Sequence, residues 1–231
     1  MEGLPDILFE DNHLLIVNKR PGDIVQGDKT GDLPLTDILK LYIKNKYNKP
    51  GDVFLGLVHR LDRPVSGAVI FARTSKSLTR LTMMVKDREI SKTYWAIVEK
   101  VPDPVEGTLI SFLKKNESQN KSFSVKEGTS GSKRAELNYK LLASGKTYHL
   151  IEVNLITGRH HQIRAQLSGI GCPIKGDLKY GARRSNSDGS ISLHARYLEF
   201  IHPVSKEYVK ISAATPDSPD WSYFDLENIR K

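Results

Sequence analysis

Cysteine is almost absent from this chain of 231 residues, in which Cys172 is the only one. A disulfide within the chain and a metal site built from several thiolates are therefore both excluded. No apolar run approaches the roughly 18 residues of a membrane-spanning helix. The start of the sequence, MEGLPDILFED, lacks the basic and apolar regions of a signal peptide. We therefore expect a soluble protein of a reducing compartment, the cytoplasm.

Several motifs of cofactor-dependent and metal-dependent enzymes are also missing. Neither GxGxxG nor GxxxxGK[ST] occurs, so the sequence offers no glycine-rich cradle for a nucleotide. The adjacent His160 and His161 lack the i,i+4 spacing of a zinc-binding helix, and no metal site is expected from them. The segment Val65-Ser66-Gly67 lacks the leading glycine of a GxSxG elbow, which argues against a hydrolase.

Positive charge is in excess. The chain has 35 Lys and Arg against 27 Asp and Glu, a formal net charge of +8, which suits a polyanionic partner such as nucleic acid. A generally basic protein with no such partner is the alternative. The segment 112–134 carries six of the cations and two glutamates. It predicts a solvated hairpin or loop that could also lie along a phosphate backbone.

The hydrophobic pattern predicts many strands and three helices without regular βαβ alternation. This favours an α+β fold with a largely antiparallel sheet in a single domain, because no linker is long enough to divide the chain. Helices are predicted from a Thr36 cap to Lys46, over Ser75–Asp87, and from a Thr157 cap to about Ser168. The predicted strands are 7–10, 14–19, 53–58, 67–73, 92–100, 134–142, 147–155, 192–201 and 207–213.

The stretch HRLDRPVSG, residues 59–67, is the first candidate for chemistry. It follows the apolar run 53–58, so Asp62 should be presented at a strand end. In an extended segment Arg60 shares a face with Asp62 and Arg63 points the other way. A carboxylate beside a cation stays ionised and can act as nucleophile or base. An ion pair at a surface turn is the commoner use of such residues, and spacing alone favours it.

The second candidate is GRHHQIR, residues 158–164. If the helix begins near Thr157, His160 and His161 share one face with Arg164, close to the positive helix N-terminus. An ordinary polar helix face is the alternative. Tyr94 and Trp95 lie on opposite faces of their strand, so one of them could stack on a base.

Together with further motifs these segments resemble the RluA-type RNA pseudouridine synthases. The shared pieces, in order, are HRLD-x-x-x-SG, GAVIFAR, K-x-Y-x-A-x-V, GR-x-HQIR, GD-x-x-YG and LHA-x-x-L-x-F-x-HP. They span roughly residues 5–215, so the resemblance implies one catalytic domain over 1–231 without an N-terminal RNA-binding accessory domain. It also implies isomerisation of uridine to pseudouridine in ribosomal or transfer RNA by base flipping, with no cofactor and no metal.

The resemblance assigns roles to individual residues. It makes Asp62 the essential carboxylate, Arg164 its cationic partner, Tyr94 the ring packed on the target base, and Arg60 the residue that fills the gap left by the flipped nucleotide. Further RNA contacts are expected from the neighbouring motif positions His59, Arg159, His161, Gln162 and Ile163. Departures from the family pattern lie at Val65, His160, Ala165, Gln166 and the shifted Pro21.

Two other classes of protein remain as alternatives. One is a non-catalytic RNA-binding or chaperone protein on the same fold, which the presence of Asp62, Tyr94 and Arg164 disfavours. The other is a glycosidase, which needs a second buried carboxylate near Asp62. Asp177 is the only candidate within a motif, and its glycine-flanked turn suits a structural role. We expect a monomer.

Overall fold

The structure, a computed structural model, describes residues 3–28 and 30–224. Over these ranges it has eleven strands, four α-helices and one 3₁₀ helix at Leu178–Tyr180, which confirms the predicted α+β class. The α-helices are α1 (Leu35–Lys46), α2 (Ser75–Lys86), α3 (Gln162–Gly169) and α4 (Pro219–Ser222). The strands are β1 (Asp6–Glu10), β2 (Leu14–Lys19), β3 (Gly56–Leu57), β4 (Ser66–Ala72), β5 (Ser91–Val98), β6 (Glu106–Asn116), β7 (Lys121–Val125), β8 (Lys133–Ser144), β9 (His149–Leu155), β10 (Leu193–Ile201) and β11 (Tyr208–Ser212).

The chain divides into two compact units, each built from two separate segments. The first unit comprises Met1–Ile90 and Ala195–Ala214, and the second comprises Ser91–His194 and Thr215–Lys231. Neither unit is therefore a continuous piece of sequence. Among the described residues, no helix has the length and apolar character needed to cross a bilayer.

The sheet of the first unit places β2 beside the segment that carries Asp62. Its strands run in the order β1-β2-β4-β10, with β3 paired to β4 and β11 paired to β10. β2 and β4 are antiparallel, and their ladder ends with Lys19 opposite Gly67. The last residue of β2 therefore lies next to the residues that follow Asp62.

Helix α2 forms as its sequence predicts and covers the core of the first unit. The Thr74 hydroxyl caps it by accepting a hydrogen bond from Ser77 N at 3.1 Å. Leu81 and Met84 are buried in the core cluster, and Leu78 packs against it. The apolar stripe of α2 is thus a structural feature.

The sheet of the second unit runs in the order β5-β9-β8-β6-β7, and all four of its ladders are antiparallel. Leu113 of β6 and Ala135 of β8 form a buried cluster with Ala165 of α3 and with Tyr180. Odd-numbered residues of β6 and β8 therefore face α3, and even-numbered residues face the opposite side. We call the first side the helix face and the second the outer face.

Helix α3 begins later than predicted, at Gln162 rather than at Gly158. Thr157 does not cap it, because its hydroxyl accepts from Glu136 N at 2.8 Å and lies 2.8 Å from the Gln162 side chain. His161 is the N-cap residue, with a left-handed φ of 52°. His160 and His161 therefore precede the helix, and the predicted helical face that groups them with Arg164 is wrong.

Two other boundaries differ from the prediction. Helix α1 begins at Leu35 after Pro34, so Thr36 lies inside it and is not its cap. Of the apolar run 53–58 only Gly56 and Leu57 form a strand, and the side chain of Phe54 is exposed. Asp62 consequently lies not at the end of a buried strand but in the irregular segment between β3 and β4.

Candidate active site

Asp62 opens a tight turn in the first unit. Val65 N donates to Asp62 O at 3.0 Å, which closes a four-residue turn around Arg63 and Pro64. Gly22 N also donates to Arg63 O at 2.9 Å. Asp62 is partly buried. The backbone that presents it is therefore tied to the turn that follows β2.

A buried lysine also holds this turn through hydrogen bonds to its backbone carbonyls. Lys19 is fully buried, and its ammonium donates to Arg20 O at 2.9 Å, Arg63 O at 3.0 Å and Val65 O at 2.7 Å. Three backbone carbonyls match the three hydrogens of an ammonium group. Lys19 thus binds both sides of Pro64 and fixes the orientation of the turn that begins with Asp62.

The charge of Lys19 is coupled to the same turn. Burial lowers the pKa of Lys19 to about 8, while the charges of Asp23 and Asp62 act in the opposite direction. Proximity to the Asp62 charge favours the ammonium form. A cation that holds the backbone and also interacts with the carboxylate is therefore built into this part of the fold. Sequence reasoning missed Lys19, whose only signal was a charged residue ending an otherwise apolar strand.

Gly67 is required where β4 begins. Its φ is +115°, and a Cβ at this position would lie 2.4 Å from Ala195 O and 2.5 Å from Ala195 N. Only glycine allows this backbone conformation and this approach. The SG of the HRLD-x-x-x-SG motif thus allows β4 to pass close to the backbone of β10 directly after the Asp62 turn.

The other residues of the HRLD segment have different surroundings. Arg63 pairs with Asp32 at 2.6 Å, and both side chains are about half exposed. Arg63 therefore forms a surface ion pair, but with Asp32 and not with Asp62. His59 Nε2 accepts from Ile70 N at 3.3 Å, which gives His59 a contact with β4. Arg60 is exposed. The RNA contacts of Arg60 and His59 stay predictions.

In the second unit, Arg164 is buried and held in one orientation. Its Nε donates to Asp177 Oδ2 at 2.7 Å and its Nη2 donates to Asp177 Oδ1 at 2.8 Å. The two side chains are only 6% and 1% exposed. A bidentate guanidinium–carboxylate pair in such surroundings fixes the plane of the guanidinium. Asp177 thus has the structural role that its glycine-flanked turn suggested. Because its carboxylate binds Arg164, it does not supply the second catalytic carboxylate that the glycosidase alternative requires.

Tyr180 completes the surroundings of Arg164. The Arg164 guanidinium carbon lies 5.0 Å from the centre of the Tyr180 ring. The Tyr180 hydroxyl lies 3.0 Å from His161 Nδ1 and accepts from Ser122 N at 2.8 Å. Asp177 and Tyr180 both belong to the GD-x-x-YG motif, so this motif supplies the carboxylate and the ring that orient the arginine of GR-x-HQIR.

The two histidines before α3 join that helix to the β6–β7 hairpin. The rings of His160 and His161 stack at 3.8 Å. His160 Nδ1 lies 2.9 Å from Ser122 Oγ, and its Nε2 lies 3.1 Å from Asn120 Oδ1. Ser122 Oγ also donates to His160 O at 2.7 Å. His160, one of the departures from the family pattern, thus ties the hairpin to the residues that precede Arg164.

Two glutamines fix α3 on the sheet. Gln162 Oε1 accepts from Thr157 Oγ1 at 2.8 Å and from Arg159 N at 2.9 Å. Gln166 Nε2 lies 3.1 Å from Leu109 O and 3.3 Å from Ala135 O, so it spans β6 and β8. Gln162, predicted to contact RNA, is buried and organises the start of the helix.

The remaining predicted residues of this unit differ in exposure. Tyr94 is 6% exposed, and the ladder places it opposite Val153, which lies opposite Tyr139 on the helix face. Tyr94 and α3 therefore lie on the same side of the sheet. Ile163 is buried, whereas Arg159 is exposed and its Nε donates to Arg134 O at 2.9 Å.

Asp62 belongs to the first unit, and Arg164 and Tyr94 belong to the second. Their meeting at one site stays a prediction. Among residues 3–28 and 30–224, the structure has no group of three or more His, Cys, Asp or Glu that could hold a metal ion.

Comparison with known proteins identifies the class. A family model described as RNA pseudouridylate synthase matches residues 13–169, a range that includes Asp62, Tyr94 and Arg164. The chain therefore belongs to the RNA pseudouridylate synthase family, as the order of its motifs predicted. It is an RNA pseudouridine synthase, an isomerase that acts on uridine in RNA.

Individual relatives agree with this assignment. An uncharacterised RNA pseudouridine synthase of Bacillus subtilis is 31% identical over 229 residues, which cover 98% of this chain and 73% of the relative. Ribosomal large subunit pseudouridine synthase D of Zymomonas mobilis is 33% identical, with 91% and 69% covered. The structure of human RNA pseudouridylate synthase domain containing 4 superposes with a TM-score of 0.77 at 27% identity, covering 92% of this chain and 89% of that chain.

Proposed function

We propose that this enzyme modifies uridines of ribosomal or transfer RNA and that Asp62 is its essential carboxylate. The observation that carries the proposal is the turn held by Lys19, which fixes the backbone on both sides of Pro64 and so presents Asp62 in one orientation. Rigid presentation is what a catalytic group needs, because a small misplacement of a reacting group costs much of the rate.

The proposed reaction leaves the composition of the nucleotide unchanged. The bond between uracil N1 and ribose C1′ breaks, the base turns, and C5 forms a new bond to C1′. The C5 proton is lost to solvent and N1 gains a proton, so the product is an isomer. An ionised Asp62 can take part as nucleophile or base. The target nucleotide must leave its helix first, because C1′ chemistry cannot occur within a stack.

Arg164 is the proposed cationic partner of Asp62. Its Nε and Nη2 bind Asp177, which fixes the plane of the guanidinium. The guanidinium stays charged when it is buried, which suits it to keep a neighbouring carboxylate ionised. Tyr94, buried on the same side of the sheet as α3, is proposed to pack on the target base.

Two observations support a ribosomal or transfer RNA substrate. The formal net charge of +8 suits a large polyanion. A relative that is 33% identical is named for the large ribosomal subunit, which favours ribosomal RNA of the two. Because substrate RNA of both kinds is found in the cytoplasm, we propose that compartment for the enzyme.

Pseudouridine mapping of total RNA tests this proposal. Cells without the gene should lose pseudouridine at defined positions of ribosomal or transfer RNA, and the wild-type gene should restore them. The Asp62→Asn gene, expressed to the same level, should restore none. If every position persists without the gene while the protein still binds RNA, the non-catalytic RNA-binding alternative is favoured.

A further inference from the structure

The outer face of the second unit's sheet carries exposed apolar side chains where polar ones are usual. The even-numbered residues of β6 lie on this face, and the ladders align Phe112 with Val125 and Lys114 with Phe123. On the other side of β6, Phe112 is aligned with Arg134 and Ile110 with Glu136. Cross-strand partners share a face, so these side chains form one patch. We call it the outer strip: Ile110, Phe112, Lys114, Phe123, Val125 and Arg134.

The apolar members of the outer strip are accessible to solvent. Ile110 is 54% exposed and Phe123 is 39% exposed, while Phe112 and Val125 are partly buried. An antiparallel sheet that faces water normally alternates apolar and polar residues, with the polar ones outward. Two aromatic rings and two aliphatic side chains on the solvent side of β6 and β7 therefore indicate a binding surface.

Cations surround these rings. Lys114 lies directly opposite Phe123 in the ladder, and Lys121 Nζ lies 5.2 Å from the centre of the Phe123 ring. Arg134 carries the third cation and pairs with Glu136, an acidic residue on the same face. Accessible rings with lysines beside them are the arrangement that binds single-stranded nucleic acid, because bases stack on the rings and phosphates bind the cations.

Lys121 also links the outer strip to the surroundings of Arg164. Its Nζ lies 4.8 Å from the centre of the Tyr180 ring, which belongs to the helix face. β7 is the last strand of this sheet, so Lys121 reaches around the sheet edge. An RNA strand lying on the outer strip could therefore continue over this edge towards α3.

We propose that the outer strip binds single-stranded RNA that flanks the target uridine, with a base on Phe123 and phosphates on Lys114 and Lys121. This proposal rests on the RNA substrate of the proposed function. It adds a surface on the side of the sheet that faces away from α3, Arg164 and Tyr94.

Fluorescence anisotropy with a labelled ten-nucleotide oligoadenylate tests the outer strip without catalysis, because this probe has no uridine. Phe123→Leu keeps an apolar side chain and removes the ring. Loss of base stacking should weaken binding about 5-fold or more. Lys114→Gln should lower the salt slope of log Kd by about 0.7. The matched control is Phe54→Leu in the first unit, where the phenylalanine is 47% exposed, and its affinity should stay at the wild-type value.

Several outcomes would overturn the proposal. One is that the wild type does not bind oligoadenylate, and another is that the Phe123→Leu and Phe54→Leu proteins bind it with equal affinity. A third is that the wild type sediments as a dimer and Phe123→Leu as a monomer, because a second copy of the chain would then occupy the outer strip. Melting temperatures show whether each variant is folded. The same wild-type preparation is assayed for pseudouridine formation. Isomerisation without Phe123-dependent binding refutes only the outer strip, and Phe123-dependent binding without isomerisation refutes only the proposed function.

Discussion

Asp177→Asn tests whether the buried ion pair holds Arg164 in place. The substitution keeps the size of the side chain and one acceptor oxygen, but it removes the negative charge and one of the bonds of 2.7 and 2.8 Å. The Arg164 side chain is only 6% exposed, so its guanidinium then stays buried without the negative charge of Asp177. Breaking a buried pair by removing one partner costs ~3–5 kcal/mol. The lower value, about 3 kcal/mol, fits a change that retains one hydrogen bond.

This loss converts into a measurable shift. For a chain of 150–250 residues each kcal/mol lowers the melting temperature by roughly 2–4 °C, so Asp177→Asn should lower it by about 6–12 °C. A guanidinium that is no longer fixed should also slow pseudouridine formation by on the order of 100-fold under single-turnover conditions, well below the melting temperature. Asp52→Asn, an exposed carboxylate in the first unit, is the control and should change neither quantity.

A double-mutant cycle separates the pair from general damage to the fold. Arg164→Met combined with Asp177→Asn removes both charges, so the double variant should be more stable than the sum of the two single losses predicts. The reasoning is refuted if the melting temperature of Asp177→Asn equals those of the wild type and the Asp52→Asn control. Strict additivity in the cycle would equally show that the two side chains do not stabilise each other.

Three further predictions concern the Lys19 anchor, the start of β4 and the basic hairpin. The pKa of Lys19 is about 8 in the folded state and 10.5 in the unfolded state. Between pH 8 and 10.5 the folded state therefore binds fewer protons at Lys19 than the unfolded state does. The contribution of Lys19 to the free energy of unfolding should rise by up to ~3 kcal/mol over this pH range, which denaturant unfolding at several pH values measures. The isomerisation rate should fall above pH 8 because a neutral amine cannot donate to three carbonyls, and a flat profile to pH 9.5 would refute the anchoring role. Gly67→Ala should lower the melting temperature far more than Gly22→Ala, which also has a positive φ but nothing within 4 Å of the added Cβ; equal losses would mean that backbone strain alone matters. In a titration of RNA affinity against salt, glutamines in place of three hairpin lysines should flatten the slope by about one unit per lost phosphate contact, and an unchanged slope would make the hairpin an ordinary solvated loop. These lysines are Lys114, Lys115 and Lys121.

Local sequence signals predicted those parts of the fold that local interactions determine. The bounds of β2 agree with the predicted strand at 14–19, because four buried apolar residues are followed by a turn at Pro21-Gly22. The start of α2 was also found, because Thr74 caps a segment with clear helical spacing. The helix at 158 was misplaced since the Thr157 hydroxyl bonds to Glu136, a partner 21 residues away that spacing does not reveal.

The residues that position the candidate site required the tertiary structure. A lysine at the end of a strand is normally exposed, and only the folded chain shows that Lys19 is buried beneath three carbonyls. The bond from Arg164 to Asp177 was not predicted either, although both residues lie in recognised motifs. The motifs paired Arg164 with Asp62 and gave Asp177 only a structural role, and the folded chain shows that Asp177, the N-cap of a 3₁₀ turn 13 residues later, binds the guanidinium.

Tritium release tests the proposed role of Asp62 most directly. Ribosomal RNA transcribed with [5-³H]uridine loses its label to water when C5 becomes bonded to C1′, so purified enzyme should release tritium in proportion to the uridines that it isomerises. Asp62→Asn, shown by its melting temperature to be folded and by anisotropy to bind the same RNA, should release none above background. Sustained release by this variant would contradict the proposal that Asp62 is the essential carboxylate.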